Sequence, residues 1–215
     1  MKKAPKVILI HGIFNIKYCM AWMAHYLKKK NNEVILFGYP STKYAIPDLV
    51  EWMHPKIKDL MTDPNQSIHF VCHSMGGLLL RAYLEKYQVP NLSKVVFLGT
   101  PNQGSELADW LHLRLNKLYA FLFGPAGFQL QTTQTPQLFK RPVDFELGVI
   151  MGNKPGIKLG CFKGENDGMV SVESSKVAGM KDHLILPTSH TLLLIDKITL
   201  FQIDYFLKNG VFSRA

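Results

Sequence analysis

The chain is poor in cysteine, short of acidic residues and without any long apolar run. Its 215 residues include only Cys19, Cys72 and Cys161. Three cysteines cannot all pair within one chain, and their spacing matches no zinc pattern, so neither a disulfide framework nor a structural metal site is expected. Cys72 closes an apolar run and Cys161 sits in another, which points to buried free thiols and a reducing compartment. No uninterrupted apolar stretch approaches the ~20 residues that span a bilayer. The opening MKKAPKVILIHG imitates a secretory leader only in part, because the apolar run Val7–Ile10 gives way at once to His11-Gly12. It reads as a first core strand, and cytoplasmic residence is expected. Internal repeats, low-complexity tracts and linkers are lacking too, so residues 1–215 are expected to form a single domain.

Acidic residues number 16 against 25 lysines and arginines, giving a formal charge of +9. The excess comes without a nucleic-acid motif and without interleaved basic and aromatic residues, so a nucleic-acid partner is not expected. What remains is a solvated basic surface, or a weak peripheral contact with an anionic membrane surface.

What is present is alternation. Val7–His11, Glu33–Phe37, Ile68–Cys72, Lys94–Gly99, Phe145–Met151 and Asp182–Leu186 read as strands. Tyr18–Asn31, Ile46–Met61, Leu78–Tyr87 and Asp196–Asn209 read as helices, with Pro55 expected to bend or restart the second and Gly210 to stop the last. The strands are continuous apolar runs, as expected of a mostly parallel sheet of about six strands covered by helices on both faces. The alternation breaks over about 104–140. There Leu107, Leu111, Leu115, Leu118 and Leu122 would lie on one broad stripe of a helix ended by Gly124-Pro125. This insertion reads either as a lid over a site or as a helix packed on the core.

The stretch His69–Gly77, HFVCHSMGG, puts Ser74 between a strand and a helix. Such a turn lifts the hydroxyl clear of the sheet and aims the first free amides of the helix toward it. Serine is a weak nucleophile alone; it needs a base for its proton and fixed donors for the oxyanion formed on attack. Gly76 and Gly77 suit a turn where backbone approaches backbone and φ is positive. Cys72 stands where the usual G-x-S-x-G elbow has its first glycine. His73 should point away from the nucleophile, as a packing or rim residue.

Candidate partners follow in chain order. His190, in PTSHTLLL, comes just after the last strand, where a loop can carry an imidazole over the elbow. Asp167, in GENDGMVSVESS, would accept the second imidazole proton and fix the tautomer. Glu165 and Asp144 are rivals for that acid, and Asn-Asp-Gly is also an ordinary turn. Asp167 stands roughly fifteen residues beyond the preceding strand, so a short extra strand at Ile157–Phe162 is expected between them. Backbone amides of Met75 and Ile13 are the candidate oxyanion donors, one after the nucleophile and one after the first strand. His11 would hold that first loop by hydrogen bonds.

Through VILIHGIF, HFVCHSMGG, LGTPNQGS, NDGMVSVESS and SHTLLL, the sequence resembles bacterial lipases and carboxylesterases of the α/β-hydrolase superfamily. The resemblance runs from Val7 to Leu194. It implies an α/β-hydrolase fold, Ser74 as nucleophile, Asp167 as acid, His190 as base, and Ile13 and Met75 as oxyanion donors. It also implies a small-molecule or lipid ester substrate, with no cofactor and no metal. A thioesterase or acyltransferase would use the same parts, and a non-catalytic hydrolase fold that binds lipid or a partner is the alternative outside enzymes.

Overall fold

The apolar runs pair as strands that need cover on both faces. The computed structural model describes residues 3–139, 141–157 and 159–214. Its elements are β1 (Lys6–Ile10), α1 (Ala21–Lys29), β2 (Glu33–Phe37), α2 (Ile46–Leu60), β3 (Ile68–His73), α3 (Met75–Lys86), β4 (Leu92–Leu98), α4 (Glu106–Phe128), β5 (Glu146–Gly152), β6 (Asp182–Leu186) and α5 (Lys197–Asn209). The strands form one sheet in the order β2-β1-β3-β4-β5-β6, and every neighbouring pair is parallel. The order reverses at β1, which has β2 on one side and β3 on the other. A parallel sheet opens a crevice at such a reversal, beyond the carboxyl ends of its strands. The register Ile10↔Cys72 therefore brings the loop after β1 beside the turn after β3.

Alternation along each strand divides the core in two. Ile8, Ile10, Phe70, Cys72 and Phe97 pack under α2 and α3, while Val7, Leu9, Val71, Val96 and Ile150 face the layer made by α1 and α5. Helix ends follow local chemistry. Asp196 caps α5 by accepting from the Thr199 amide at 2.8 Å, and Gly210 stops it in the left-handed region with φ 75°. Ala45 offers α2 no side-chain cap; Gln129 Oε1 accepts from the Ile46 amide at 2.6 Å instead. Pro55 lies inside α2 without ending it. The first turn expected of α1 is a 3-10 turn at Lys17–Met20.

Three expectations are corrected. No strand forms within Ile157–Phe162 among the described residues, Lys158 lying outside them. β5 pairs directly with β6, so that segment has no sheet edge to join, and Ile157 is 74% exposed. Cys161 is half-buried where burial was expected, while Cys72 is buried as expected. The apolar stripe of α4 is not continuous. Leu115 (φ −124°) and Gly124 (φ 62°) interrupt the helix, which resumes to Phe128 after Gly124-Pro125 and does not end there. A side chain at Gly124 would run into the Thr42 carbonyl, so the kink is set by close backbone contact. Among the described residues no helix is long and apolar enough to cross a membrane.

Candidate active site

Ser74 forms the junction between β3 and α3, with φ 54° and ψ −127°. Such a backbone is costly for any residue but glycine and is retained only where its surroundings fix it. Here the Ser74 amide donates to Leu98 O at 2.8 Å, while Ser74 O accepts from the Gly77 amide at 3.0 Å and from Thr100 Oγ1 at 3.1 Å. The positive φ thus falls on the serine; Gly76 and Gly77 are helical. They are glycines for room: a Cβ at Gly76 would lie 2.5 Å from His11 O, and one at Gly77 would meet the Thr100 side chain.

The acid and base come from the other half of the sheet. Asp167 lies in the loop between β5 and β6, is 1% exposed, and receives His190 Nδ1–H on Oδ2 at 2.6 Å. Its second oxygen accepts from the amides of Met169 and Val170 at 2.9 and 2.8 Å. The His190 amide also donates to Asp167 O at 3.0 Å. Gly99, in the left-handed region at the end of β4, leaves space for both groups: a Cβ there would lie 2.9 Å from Asp167 Oδ2 and from His190 Nδ1. Of the rival acids, Glu165 is exposed and accepts from Asn153 Nδ2 at 3.0 Å, and Asp144 precedes β5 at the opposite end of the strand. With Nδ1 turned to Asp167, Nε2 is the nitrogen of His190 left for a substrate-side proton. No hydrogen bond to Ser74 Oγ forms among the described residues.

The loop after β1 is shaped by residues the sequence did not single out. Phe14 has φ 61°, and its amide donates to Ser41 Oγ at 3.2 Å. The amides of Ile13 and Met75 have no acceptor among the described residues. A Cβ at Gly12 would lie 2.8 Å from Ser74 Cβ, so this loop packs directly on the elbow. His11 holds it from beneath: its ring stacks on Tyr39 at 4.4 Å, its Nδ1 bonds Gly12 O at 2.8 Å, and its carbonyl accepts from the Tyr39 hydroxyl at 2.8 Å. Burial pushes the His11 imidazole below its ordinary value, so the ring is a neutral strut. His73 is no rim residue; it is 2% exposed and packs on the His190 ring at 4.6 Å.

A crevice of about 50 Å³ opens at Ser74 and Ile13, walled by Leu107, Leu111, Tyr119 and Phe123 of α4. Ser105 ties that wall to the acid loop, donating to Met169 O at 2.7 Å while capping α4 at the Ala108 amide. A larger opening of about 300 Å³, between Arg81 and Phe145, is lined by none of the candidate site residues. Among the described residues no cluster of three or more His, Cys, Asp or Glu is disposed to hold a metal ion.

Comparison with known proteins separates fold from family. The mature form of the Bacillus licheniformis lipase BlEst2 superposes with a TM-score of 0.79 at 20% identity, covering 96% of this chain and 92% of that one. The lin2722 product of Listeria innocua gives 0.67 at 22% identity, over 97% of both chains. These likenesses make the fold an α/β-hydrolase fold. In sequence, lysosomal thioesterase PPT2 of Homo sapiens is 25% identical over 133 residues, covering 56% of this chain and 44% of that protein. Its Bos taurus counterpart is 26% identical over 133 residues, with 56% and 43% covered. The chain thus spans less than half the length of these curated relatives. The model of the palmitoyl protein thioesterase family matches residues 6–140, a segment that holds Ile13, Ser74 and Met75 and stops short of Asp167 and His190. That match takes in well over half of the chain, which belongs to the palmitoyl protein thioesterase family.

Proposed function

We propose that the chain is a serine hydrolase that cleaves an acyl ester or thioester through an acyl-enzyme on Ser74. The observation that carries this reading is the buried pair His190 Nδ1–Asp167 Oδ2 at 2.6 Å, on the same end of the sheet as a serine with φ 54°. In the proposed cycle Ser74 Oγ attacks the acyl carbonyl and passes its proton to His190 Nε2. Asp167 stabilises the imidazolium, and the amides of Ile13 and Met75 hold the oxyanion. The imidazolium then protonates the departing alcohol or thiol. Water, deprotonated by the same imidazole, attacks the acyl-enzyme and releases the carboxylic acid and Ser74.

Family membership favours a thioester, and a thiol leaves without much help from a general acid, so thioester and oxygen ester are both substrates in this reading. The apolar wall of the crevice favours an aliphatic acyl group. About 50 Å³ is far below the few hundred Å³ that ligand pockets usually enclose, so a long chain requires α4 to move outward, a lid-like role for the 104–140 insertion. The outer face of α4 supports a weak contact with anionic lipid: Leu113 and Phe121 are 83% and 84% exposed, with Arg114 and Lys117 between them. Free thiols at Cys19 and Cys161 favour a reducing compartment such as the cytoplasm.

A series of p-nitrophenyl esters and acyl thioesters of rising chain length tests the reading. Octanoyl substrates are expected to turn over faster than acetyl ones, with Ser74→Ala losing activity on all. Preference for acetyl over octanoyl contradicts the acyl wall, and turnover that survives Ser74→Ala contradicts the mechanism.

A further inference from the structure

His73 is the last residue of β3, and strand alternation sends its side chain to the same face as Val71, toward the α1 and α5 layer. The loop after β6 crosses that face and carries His190. The two rings meet at 4.6 Å and 50°, and His73 Nε2 lies 3.1 Å from the His190 carbonyl oxygen. His73 Nδ1 is buried with no partner among the described residues. Burial first, and then the neighbouring charge of His190, hold the His73 imidazole well below its ordinary value, so it carries one proton. That proton belongs on Nε2. The other tautomer would bury an unsatisfied N–H at Nδ1 and set the Nε2 lone pair against a carbonyl oxygen.

His190 is held at three points. Its amide and its Nδ1 both bond Asp167, in the loop between β5 and β6, and only its carbonyl is held by the strand that bears the nucleophile. Ser74 and His190 share no hydrogen bond that would set their spacing.

We propose that His73 is a positioning residue for the reaction: its Nε2–H fixes the backbone of His190 to β3 and so sets the distance between base and nucleophile. The inference rests on the reading of Ser74 and His190 as nucleophile and base. A neutral ring suits the place, because His190 becomes positive in each half-cycle and a second cation against it would oppose that step. A displacement near 1 Å between reacting groups costs on the order of 100-fold in rate, which sets the scale of the effect.

The test compares wild type, His73→Phe, which keeps a ring and loses the donor, and His73→Gln, which restores a donor on a flexible arm. Turnover of p-nitrophenyl butyrate, labelling by a fluorophosphonate, and melting temperature are measured on each. His73→Phe is expected to lower kcat roughly 10- to 100-fold with KM nearly unchanged, and to slow labelling in parallel. His73→Gln is expected to recover most of the loss, whatever either change does to melting. Folded His73→Phe with wild-type kcat and labelling, or His73→Gln as slow as His73→Phe, overturns the positioning role alone. Wild type that neither labels nor turns over overturns the hydrolase reading, and this inference with it.

Discussion

At the scale of the residue, Asp167 shows how the candidate site divides its work. Oδ1 is taken by two backbone amides, which leaves Oδ2 to accept from one donor, His190 Nδ1–H. Asp167→Asn would keep an oxygen for the amides and present an NH₂ to the ring, forcing the wrong tautomer. Such a change is expected to lower kcat by roughly 10³- to 10⁴-fold with little effect on folding, read by steady-state kinetics beside a thermal melt. A loss below tenfold would exclude Asp167 as the orienting acid. Ser74 and His190 were legible in the sequence because each stands at a local signal, a strand-to-helix turn and the loop after the last strand. His73 was not. Its contact with His190 joins residues 117 apart and depends on which strand face meets which loop. Sequence reasoning also assigned the positive φ to the glycines, where the fold puts it on Ser74 and uses the glycines for clearance.

At the scale of the element, α4 departs furthest from its pattern. Helical spacing alone predicts one stripe, but the interruptions at Leu115 and Gly124 turn successive apolar residues in different directions. Leu111 and Phe123 wall the crevice while Leu113, Leu118 and Phe121 face outward. At Gly124 the close contact is with the Thr42 backbone, 82 residues earlier, which no local pattern reveals. An outward face of leucine and phenylalanine with Arg114 and Lys117 among them suits a lipid surface of negative charge. Vesicles containing phosphatidylserine are expected to sediment the protein more than phosphatidylcholine vesicles do, less so in high salt. Leu113→Asp with Phe121→Asp is expected to weaken that binding at least roughly tenfold while activity on soluble short-chain esters persists. Equal sedimentation of the double variant and wild type would remove this face from the account. The acid loop was harder to anticipate, since Asp167 reaches its place without the strand expected at Ile157–Phe162.

At the scale of the molecule, the alternating pattern made the parallel sheet legible, because a strand buried on both faces is apolar throughout. The same burial makes the fold sensitive to acid. His69 on β3 is pushed down to about 4 by burial and by Lys94, whose amide donates to His69 Nδ1 at 3.1 Å. An unfolded histidine takes up its proton near 6.5, so the stability owed to the neutral ring is whole above that pH. It drains away as pH falls from about 6.5 to about 4, an effect of about 3 kcal/mol. His11, His73 and His183 are shifted in the same direction by burial. Urea unfolding at pH 7.5 and 4.5 is expected to show wild type losing more stability on acidification than His69→Gln does; equal losses would refute the assignment. The central claim, an acyl-enzyme on one serine activated by one histidine, is tested most directly by intact-protein and peptide mass measurement after treatment with a fluorophosphonate. A single adduct on Ser74, absent in Ser74→Ala and strongly slowed in His190→Ala, is the predicted result. Folded wild-type protein that takes up no adduct, or takes it up equally well without His190, would contradict it.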